Sequence, residues 1–317
     1  MMKKVFIDGK AGTTGLRIYD RIKDYQDIEL ITLSETARKD LAARRQALNS
    51  ADIVFLCLPD QAAKEAVSLI ENPATIVIDT STAHRTDPNW TYGFPELSDK
   101  NREQIIRSKR ISVPGCHASG FIALIHPLIN AEIIPQSIYL NFTSLTGYSG
   151  GGKVMIGEYN DPKRAAALKS PRQYALKQNH KHLIEVKTVT GMDHLPHFSP
   201  IVADYYSGIQ LTIPLLAQQL VPGKSIQDII DLYQHKYRGP VVSYQENLDD
   251  NGFIAANKLE GSDSMIITVE GNRDRILLLS IYDNLGKGAS GAALQCLNII
   301  LNKPETYKLE IYDKEEK

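Results

Sequence analysis

Cys116 lies in the segment best suited to covalent chemistry, SVPGCHASG. Pro114 and Gly115 disfavour a helix and end the short apolar strand predicted at 110–113. From Phe121 onward, apolar residues recur at helical spacing. We therefore expect Cys116 on the turn into a helix, where backbone N–H groups and the helix dipole stabilise an anion. This position lowers a cysteine pKa below its ordinary value of about 8.5 and favours a thiolate nucleophile. A small apolar side chain packed under a turn is the alternative.

A glycine-rich loop follows the first predicted strand, Lys4–Asp8, at the spacing G-x-x-G-x-x-G. Apolar residues at helical spacing begin at Leu16, directly after the loop. In such a strand–loop–helix unit, glycine lets the backbone approach a pyrophosphate, and the helix N-terminus faces its charge. A tight turn without a ligand needs glycine as well. We predict dinucleotide binding by the loop residues Gly9, Gly12, Thr13, Thr14 and Gly15.

The end of the second predicted strand, Ile28–Leu33, bears on the choice between NAD and NADP. Glu35 is near the position where an NAD enzyme places an acidic residue on the ribose 2′-hydroxyl. Ser34, Arg38 and Lys39 offer a hydroxyl and two cations, which suit a 2′-phosphate. A solvated helix start is the alternative for the two cations. We predict NADP as the cofactor, bound in part by Ser34 and Arg38.

Strands and helices alternate through the first half of the chain. Strands are predicted at 52–58 and 75–79, and helices at 37–49 and 61–70. Repeated βα units with continuous apolar strands indicate a parallel sheet covered on both faces. Pro59 follows one of these strands, at the edge where open α/β sheets bind ligands, and is a further predicted cofactor contact.

The periodicity changes in the second half. A helix is predicted at 225–237, and strands are predicted at 137–146, 185–190, 206–213, 264–270 and 275–282. Strands and helices no longer alternate strictly, which indicates a mixed or antiparallel sheet. The predicted fold class is α/β, with an N-terminal Rossmann-type, doubly wound parallel sheet followed by an α+β domain with a mixed sheet.

Composition excludes several classes of partner. With 36 basic and 37 acidic residues among 317, the net charge of -1 gives no preference for nucleic acid or an anionic membrane. No apolar run is long enough to span a bilayer or to form a signal-peptide core. The 3 cysteines are widely separated, which fits a reducing compartment, and we expect a cytoplasmic protein. Cys57 and Cys296 are expected in the core.

Four motifs together resemble one enzyme family. They are the N-terminal glycine loop, DTSTAHR at 79–85 with YGFPEL at 92–97, PGCH at 114–117, and DNLGKGASGAALQ at 283–295. Their order and spacing resemble the shorter form of the N-acetyl-γ-glutamyl-phosphate reductases. The longer form has tyrosine and proline after the cysteine where this chain has His117 and Ala118, as the shorter branch does.

The resemblance implies a semialdehyde-dehydrogenase-like fold and reduction of an acyl phosphate by NADPH. Cys116 would attack the acyl carbon and expel phosphate to leave a thioester. Hydride from the nicotinamide would then give a thiohemiacetal that collapses to the aldehyde. The implied division is a dinucleotide-binding domain at 1–115 and 286–317, and a catalytic and oligomerisation domain at 116–285.

Histidines supply the predicted acid and base. His180 and His182 resemble the family's histidine-x-histidine segment, and an ordinary pKa of about 6.5 suits a group that takes and returns a proton. We favour His180. These two with His194 and His197 offer nitrogen ligands for zinc, but no Cys-x-x-Cys or His-Glu-x-x-His motif accompanies them. We therefore expect no metal, and we expect His197 in a structural turn.

The remaining predicted contacts follow from the resemblance. The substrate carries a phosphate and a carboxylate, and its predicted binding residues are Ser81, Arg85, His117 and Lys153. Lys153 ends a glycine-rich loop that can form an anion-binding nest. A helix at 290–301 returns to the nucleotide domain, so that Lys287 and Gly288 would border the cofactor.

The family uses its second sheet for subunit contact, which implies a homodimer or homotetramer. Two alternatives to the reductase stay open. One is aspartate-semialdehyde dehydrogenase, which shares the fold plan and the thiol chemistry. The other is a non-catalytic NADP-binding sensor in which Cys116 only packs.

Overall fold

The structure of the protein is a computed structural model that describes residues 2–313. The parts of the predicted domains at residue 1 and at 314–317 lie outside the described residues. The chain divides into two compact units. The first comprises the residues up to Gly115 together with Ala292–Lys308, and the second comprises Cys116–Gly291 and the residues from Leu309 onward. Residues 286–291 and the described residues from Leu309 onward therefore belong to the second unit, whereas the predicted division assigned them to the first.

The strands are β1 (Lys3–Asp8), β2 (Ile28–Ile31), β3 (Ile53–Leu56), β4 (Ile76–Asp79), β5 (Thr91–Tyr92), β6 (Arg110–Ser112), β7 (Asn141–Gly147), β8 (Arg172–Gln173), β9 (His197–Ala203), β10 (Ile209–Leu216), β11 (Val242–Tyr244), β12 (Met265–Gly271) and β13 (Arg275–Tyr282). The α-helices are α1 (Thr13–Ile22), α2 (Leu41–Ser50), α3 (Asp60–Ser68), α4 (Asp99–Arg107), α5 (Cys116–Asn130), α6 (Gly152–Asn160), α7 (His182–Thr190), α8 (Ile226–Lys236) and α9 (Gly291–Ile300). A π-helical turn, Gly286–Ser290, precedes α9.

The first unit contains a parallel sheet with the strand order β2-β1-β3-β4-β6-β5. Every residue of β3 is buried, as expected for a strand covered on both faces. Leu48 of α2 and Ala63 of α3 are fully buried in a core with Val54 and Val77 of the sheet. Burial of these apolar side chains stabilises the sheet by roughly 25 cal/mol per Å² of apolar surface removed from water. The stabilised sheet in turn holds the loops at the strand ends in place.

The second unit contains a mixed sheet with the order β11-β12-β13-β10-β7-β9-β8. β11 pairs with β12 and β7 with β9 in parallel, and the other neighbours are antiparallel. The buried helix α5 packs on this sheet at Gly120, where an added Cβ would lie 2.3 Å from Ser280 Oγ and 2.7 Å from the Tyr282 side chain. Glycine is therefore needed for the close approach of α5 to β13.

The predicted fold class is confirmed, since a parallel sheet and a mixed sheet are both present. Two local predictions are wrong. Residues 185–190 were expected to form a strand and instead lie in α7. His197 was expected in a turn and instead begins β9. Among residues 2–313, no helix is long and apolar enough to cross a membrane.

Candidate active site

Cys116 is the first residue of α5, and its side chain is half-buried. Tyr282 donates its hydroxyl hydrogen to the Cys116 carbonyl oxygen at 2.6 Å, and the Gly120 backbone N–H donates to the same hydroxyl oxygen at 3.2 Å. The Tyr282 side chain on β13 thus fixes the first turn of α5. Backbone N–H groups at a helix start have no intrahelical acceptor, so they can stabilise negative charge beside the thiol.

Gly288 lies against Cys116. A Cβ added to Gly288 would be 3.2 Å from the Cys116 Cβ and 3.1 Å from the Asp283 carbonyl oxygen, so a side chain would crowd the thiol. Lys287 is fully buried in the same π-helical turn. Such turns recur at functional sites. Gly288 therefore lies directly beside the predicted nucleophile. The cofactor contacts of Lys287 and Gly288 stay predictions.

His117 follows the cysteine and is 3% exposed. Its Nδ1 lies 2.8 Å from Ser144 Oγ, and its Nε2 lies 2.8 Å from the Tyr174 hydroxyl oxygen. Burial, and to a smaller degree the nearby His180, lowers the pKa of His117 to about 3, so the ring is neutral at physiological pH. Protein hydroxyl groups therefore lie within hydrogen-bond distance of both ring nitrogens, and contact of His117 with a substrate stays a prediction.

His180 and His182 stand beside His117. The ring centroid of His117 is 6.2 Å from that of His180 and 5.7 Å from that of His182, and the latter two are 4.7 Å apart. His182 begins α7 and is buried, whereas His180 is half-buried. Burial, and secondarily Lys181, lowers the pKa of His180. The structure thus brings both predicted acid–base histidines into one cluster in the unit that contains Cys116.

Lys153 is exposed at the start of α6. The preceding glycines form a 3₁₀ turn, Tyr148–Gly151, rather than the open loop expected from the sequence. Gly152 has a φ of 71°, which favours glycine, and a Cβ there would meet nothing within 4 Å. Contact of Lys153 with a substrate stays a prediction.

In the first unit, the glycine loop makes the tight turn between β1 and α1. Gly9 has a φ of +88°, and an added Cβ would lie 2.2 Å from the Cys57 carbonyl oxygen. A Cβ on Gly15 would lie 2.5 Å from the Gly9 carbonyl oxygen. At Gly12 the nearest atom would be 3.4 Å away, so the fold itself has room for a side chain there. Thr13 and Thr14 open α1.

A cleft of about 580 Å³ borders this loop and the end of β2. Its wall includes Arg38, which pairs with Glu35 at 3.1 Å, and Lys39. Ser34 has a local role, because its hydroxyl oxygen accepts the Ala37 backbone N–H at 3.2 Å. The cleft has space for a nucleotide, and it is lined by glycine backbone and, on one wall, by cations. These features fit the adenosine side of a nicotinamide dinucleotide.

Arg44 is a residue of this cleft that the sequence analysis missed. Its guanidinium is largely buried and pairs with Asp8 at 2.9 Å and with Glu65 at 3.6 Å. Asp8, with its hydrogen bond, opposes the effect of burial and raises the pKa of Arg44. The only sequence signal was a cation inside a predicted helix, which is more often solvated.

Ser81 and Arg85 organise the ends of strands. The Ser81 hydroxyl donates to the buried carboxylate of Asp79 at 2.7 Å, and His84 Nδ1 lies 2.7 Å from the same carboxylate. The Arg85 guanidinium donates to the carbonyl oxygens of Val113 at 2.8 Å and Thr80 at 2.9 Å. Their contact with a substrate stays a prediction.

The remaining predicted contact and the other two cysteines also lie in the first unit. Pro59 immediately precedes α3, and its carbonyl oxygen accepts the Ala63 backbone N–H at 2.9 Å. Cys57 is half-buried, whereas the sequence analysis expected it in the core, and desolvation raises the pKa of its thiol to about 12. Cys296 is fully buried, with its sulfur 3.5 Å from the Gly93 carbonyl oxygen. Among residues 2–313, no three His, Cys, Asp or Glu side chains are grouped as metal ligands would be.

Comparison with known proteins matches both units. The family model "Semialdehyde dehydrogenase, NAD binding domain" matches residues 4–107, and "Semialdehyde dehydrogenase, dimerisation domain" matches residues 116–284. Among solved structures, aspartate semialdehyde dehydrogenase II from Vibrio cholerae has a TM-score of 0.72 at 15% identity, covering 95% of this chain and 99% of that one. Aspartate semialdehyde dehydrogenase with NADP from Candida albicans has a TM-score of 0.63 at 13% identity, with the same coverage. These likenesses show the fold.

Sequence relatives are more specific. N-acetyl-gamma-glutamyl-phosphate reductase 2 of Pseudomonas putida is 43% identical over 306 residues, covering 94% of this chain and 96% of the relative. N-acetyl-gamma-glutamyl-phosphate reductase of Trichormus variabilis is 40% identical over 314 residues, covering 95% and 98%. The chain therefore belongs to the semialdehyde dehydrogenase family and, within it, to the N-acetyl-gamma-glutamyl-phosphate reductases.

Proposed function

We propose that the protein reduces N-acetyl-γ-glutamyl phosphate to N-acetylglutamate 5-semialdehyde and phosphate with NADPH, a step of arginine biosynthesis. The observation that carries this proposal is the position of Cys116 as the first residue of a buried helix. It occurs in a chain that is 40–43% identical, over nearly its whole length, to reductases named for this reaction.

In the first half-reaction, His180 or His182 takes the proton from the Cys116 thiol. The sulfur attacks the acyl carbon, the bond from that carbon to the phosphate oxygen breaks, and phosphate leaves with the proton from the histidine. The product is a thioester on Cys116. Backbone N–H groups at the start of α5 stabilise the negative charge that develops on the acyl oxygen.

In the second half-reaction, the thioester carbonyl carbon on Cys116 is reduced, and bound NADPH would supply the hydride. The resulting thiohemiacetal alkoxide on Cys116 then breaks its carbon–sulfur bond. This releases the aldehyde and leaves Cys116 as a thiolate, which takes up a proton from solvent through the histidine and so restores the thiol for the next turnover. The same N–H groups stabilise the alkoxide before it collapses.

The preference for NADPH over NADH is assigned to the cations at the end of β2. Arg38, Lys39 and Arg44 line one cleft, and a 2′-phosphate there would gain charge-assisted hydrogen bonds. We expect Arg38→Ala to raise the Kd for NADPH at least tenfold and the Kd for NADH by less than threefold, each followed by quenching of protein fluorescence. Equal effects on the two nucleotides would refute the assignment.

The competing activity is oxidation of aspartate semialdehyde, because the solved neighbours carry that name. Their identity of 13–15% supports the shared fold, whereas the relatives at 40–43% support the N-acetylglutamyl substrate. The deciding experiment is the reverse reaction, with phosphate and NADP and each of the two semialdehydes in parallel. We expect NADPH to form faster with N-acetylglutamate semialdehyde. A preference for aspartate semialdehyde would overturn the proposed substrate.

We further propose that the enzyme is a cytoplasmic homodimer or homotetramer. Among residues 2–313 the three cysteines form no disulfide, which suits a reducing compartment. One face of the second sheet carries partly exposed apolar residues, including Leu277 of β13 beside Pro214 of β10. A face of this kind is suited to pairing with a second copy of the chain.

A further inference from the structure

Ser144, His117 and Tyr174 are joined by hydrogen bonds through His117, the residue that follows Cys116. We call these three side chains the relay. Ser144 on β7 is fully buried, His117 is 3% exposed, and Tyr174 is half-buried. His117 joins the other two, with both nitrogen–oxygen distances at 2.8 Å. Among residues 2–313, His117 is the hydrogen-bond partner of both the Ser144 and the Tyr174 hydroxyl group.

The direction of these hydrogen bonds follows from the charge of the ring. A neutral histidine has one N–H donor and one acceptor nitrogen. If Nδ1 held the hydrogen, Ser144 would only accept, and its own O–H would be buried without an acceptor. A buried donor without an acceptor is more costly than an unused lone pair. We therefore infer that Ser144 donates to Nδ1 and that Nε2–H donates to Tyr174.

This direction leaves the Tyr174 hydroxyl hydrogen available. Burial raises the pKa of Tyr174, and the proximity of Cys116 raises it further, so the phenol keeps its proton. The ring centroid of Tyr174 is also 6.2 Å from that of His180, a predicted acid–base residue. The opposite tautomer would direct that hydrogen to His117 Nε2 and away from the thiol.

We propose that Tyr174 donates a hydrogen bond to the oxygen of the acyl group bound to Cys116, and that Ser144 and His117 are positioning residues, since Ser144 holds the His117 ring so that its Nε2–H donates to Tyr174. The proposal rests on the proposed reaction and adds to it a donor besides the backbone N–H groups of α5. It assigns Tyr174 to transition-state stabilisation rather than to packing.

The first test needs no turnover. In the full chain labelled with ¹⁵N-histidine, the His117 signals are identified by their loss in His117→Gln. We expect the Nε2–H tautomer between pH 6 and 9. Ser144→Ala should keep this tautomer, because an Nδ1–H group there would be a buried donor without an acceptor, and should shift the Nδ1 signal, which loses its hydrogen bond. The Nδ1–H tautomer in the unmutated protein would overturn the relay, whether or not the proposed substrate is correct.

The second test is kinetic. We expect Tyr174→Phe to lower kcat by about 100-fold with KM nearly unchanged, as for the loss of one donor to an oxyanion. Ser144→Ala should lower kcat by about tenfold, and the double variant should be no slower than Tyr174→Phe, because both changes act on the same hydrogen. The matched control is Ser280→Ala on β13, since the Ser280 hydroxyl is buried without a hydrogen-bond partner among the described residues.

Losses that multiply in the double variant, or an unchanged kcat in Tyr174→Phe, would refute the role of Tyr174. If the unmutated enzyme failed to turn over this substrate, both the proposed reaction and the contact of Tyr174 with the acyl oxygen would be refuted. The tautomer measurement would still decide the relay itself.

Discussion

At the scale of single residues, Cys116 is the predicted nucleophile, and its replacement is the most direct test of that role. We expect Cys116→Ser to lower turnover by about three orders of magnitude or more, because a serine hydroxyl is a much weaker nucleophile. Binding of NADPH should be unchanged. Cys296→Ser is the control, since a hydroxyl there can keep the contact to the Gly93 carbonyl oxygen. Near-normal turnover of Cys116→Ser would instead support the non-catalytic sensor.

Desolvation of His117, which is buried, and of His126, which is half-buried, makes the free energy of unfolding depend on pH. The folded-state pKa of His117 is about 3, and that of His126 is lowered to about 4 by burial. The unfolded chain therefore takes up protons below pH 6.5 that the folded chain does not, and the free energy of unfolding falls as pH decreases. Each such histidine contributes about 1.4 kcal/mol per pH unit between its two pKa values.

We expect His117→Gln to reduce this slope by about one proton between pH 6 and 4.5, measured by urea unfolding at several pH values. His235→Gln replaces an exposed histidine and should leave the slope unchanged. An identical slope in His117→Gln and the unmutated protein would contradict the neutral state of the His117 ring.

Local sequence pattern was sufficient to place Cys116 at the start of a helix and the glycine loop at a tight turn, because each position is defined by neighbouring residues. It could not identify Ser144 or Tyr174, which lie 27 and 57 residues from His117 along the chain. Their roles depend on contacts that only the folded sheet creates. Arg44 was missed for the same reason, since its partner Asp8 is 36 residues away.

At the scale of elements, the turn between β1 and α1 contains a position, Gly12, where a substitution can affect ligand binding without affecting folding. A Cβ at Gly12 would be in ordinary contact, at 3.4 Å and 3.9 Å from its neighbours. We expect Gly12→Ala to change the free energy of unfolding by no more than about 1 kcal/mol. The Kd for NADPH should rise at least tenfold, because the methyl group occupies the space of the approaching pyrophosphate.

The matched control is Gly157→Ala in α6, where an added Cβ meets nothing within 4 Å. Fluorescence titration and urea unfolding of both variants provide the comparison. An unchanged Kd for Gly12→Ala would show that the ligand does not approach this loop.

Residues 182–190 show where sequence periodicity misleads. Val186, Thr188, Val189 and Thr190 are β-branched, which favours a strand by propensity. His182, Val186 and Thr190 are buried at intervals of four residues, as one face of a helix requires. β9 was missed because Pro196 and Pro200 obscured the alternation, yet its parallel pairing with β7 places it in the sheet. Tertiary packing decided both elements.

At the scale of the whole molecule, assembly is expected to use the open face of the second sheet. Leu277 is 39% exposed on that face, so a polar residue there should leave the single chain folded. We expect Leu277→Asp to shift the mass measured by light scattering from a dimer or tetramer toward one chain. Phe253→Asp, at a 79% exposed position outside the sheet, should not do so. Retention of the larger mass by Leu277→Asp would exclude this face as the contact.

The three thiols of the chain differ in a way that has a practical consequence. Cys296 is fully buried in α9, and desolvation raises the pKa of the half-buried Cys57 to about 12, which keeps its thiol protonated. An electrophile such as iodoacetamide should therefore attach once per chain, at Cys116, since reaction requires an accessible thiolate. The amount of label bound to a preparation would count its competent molecules, and a covalent inhibitor of this enzyme would need selectivity only among proteins, not among the cysteines of its target.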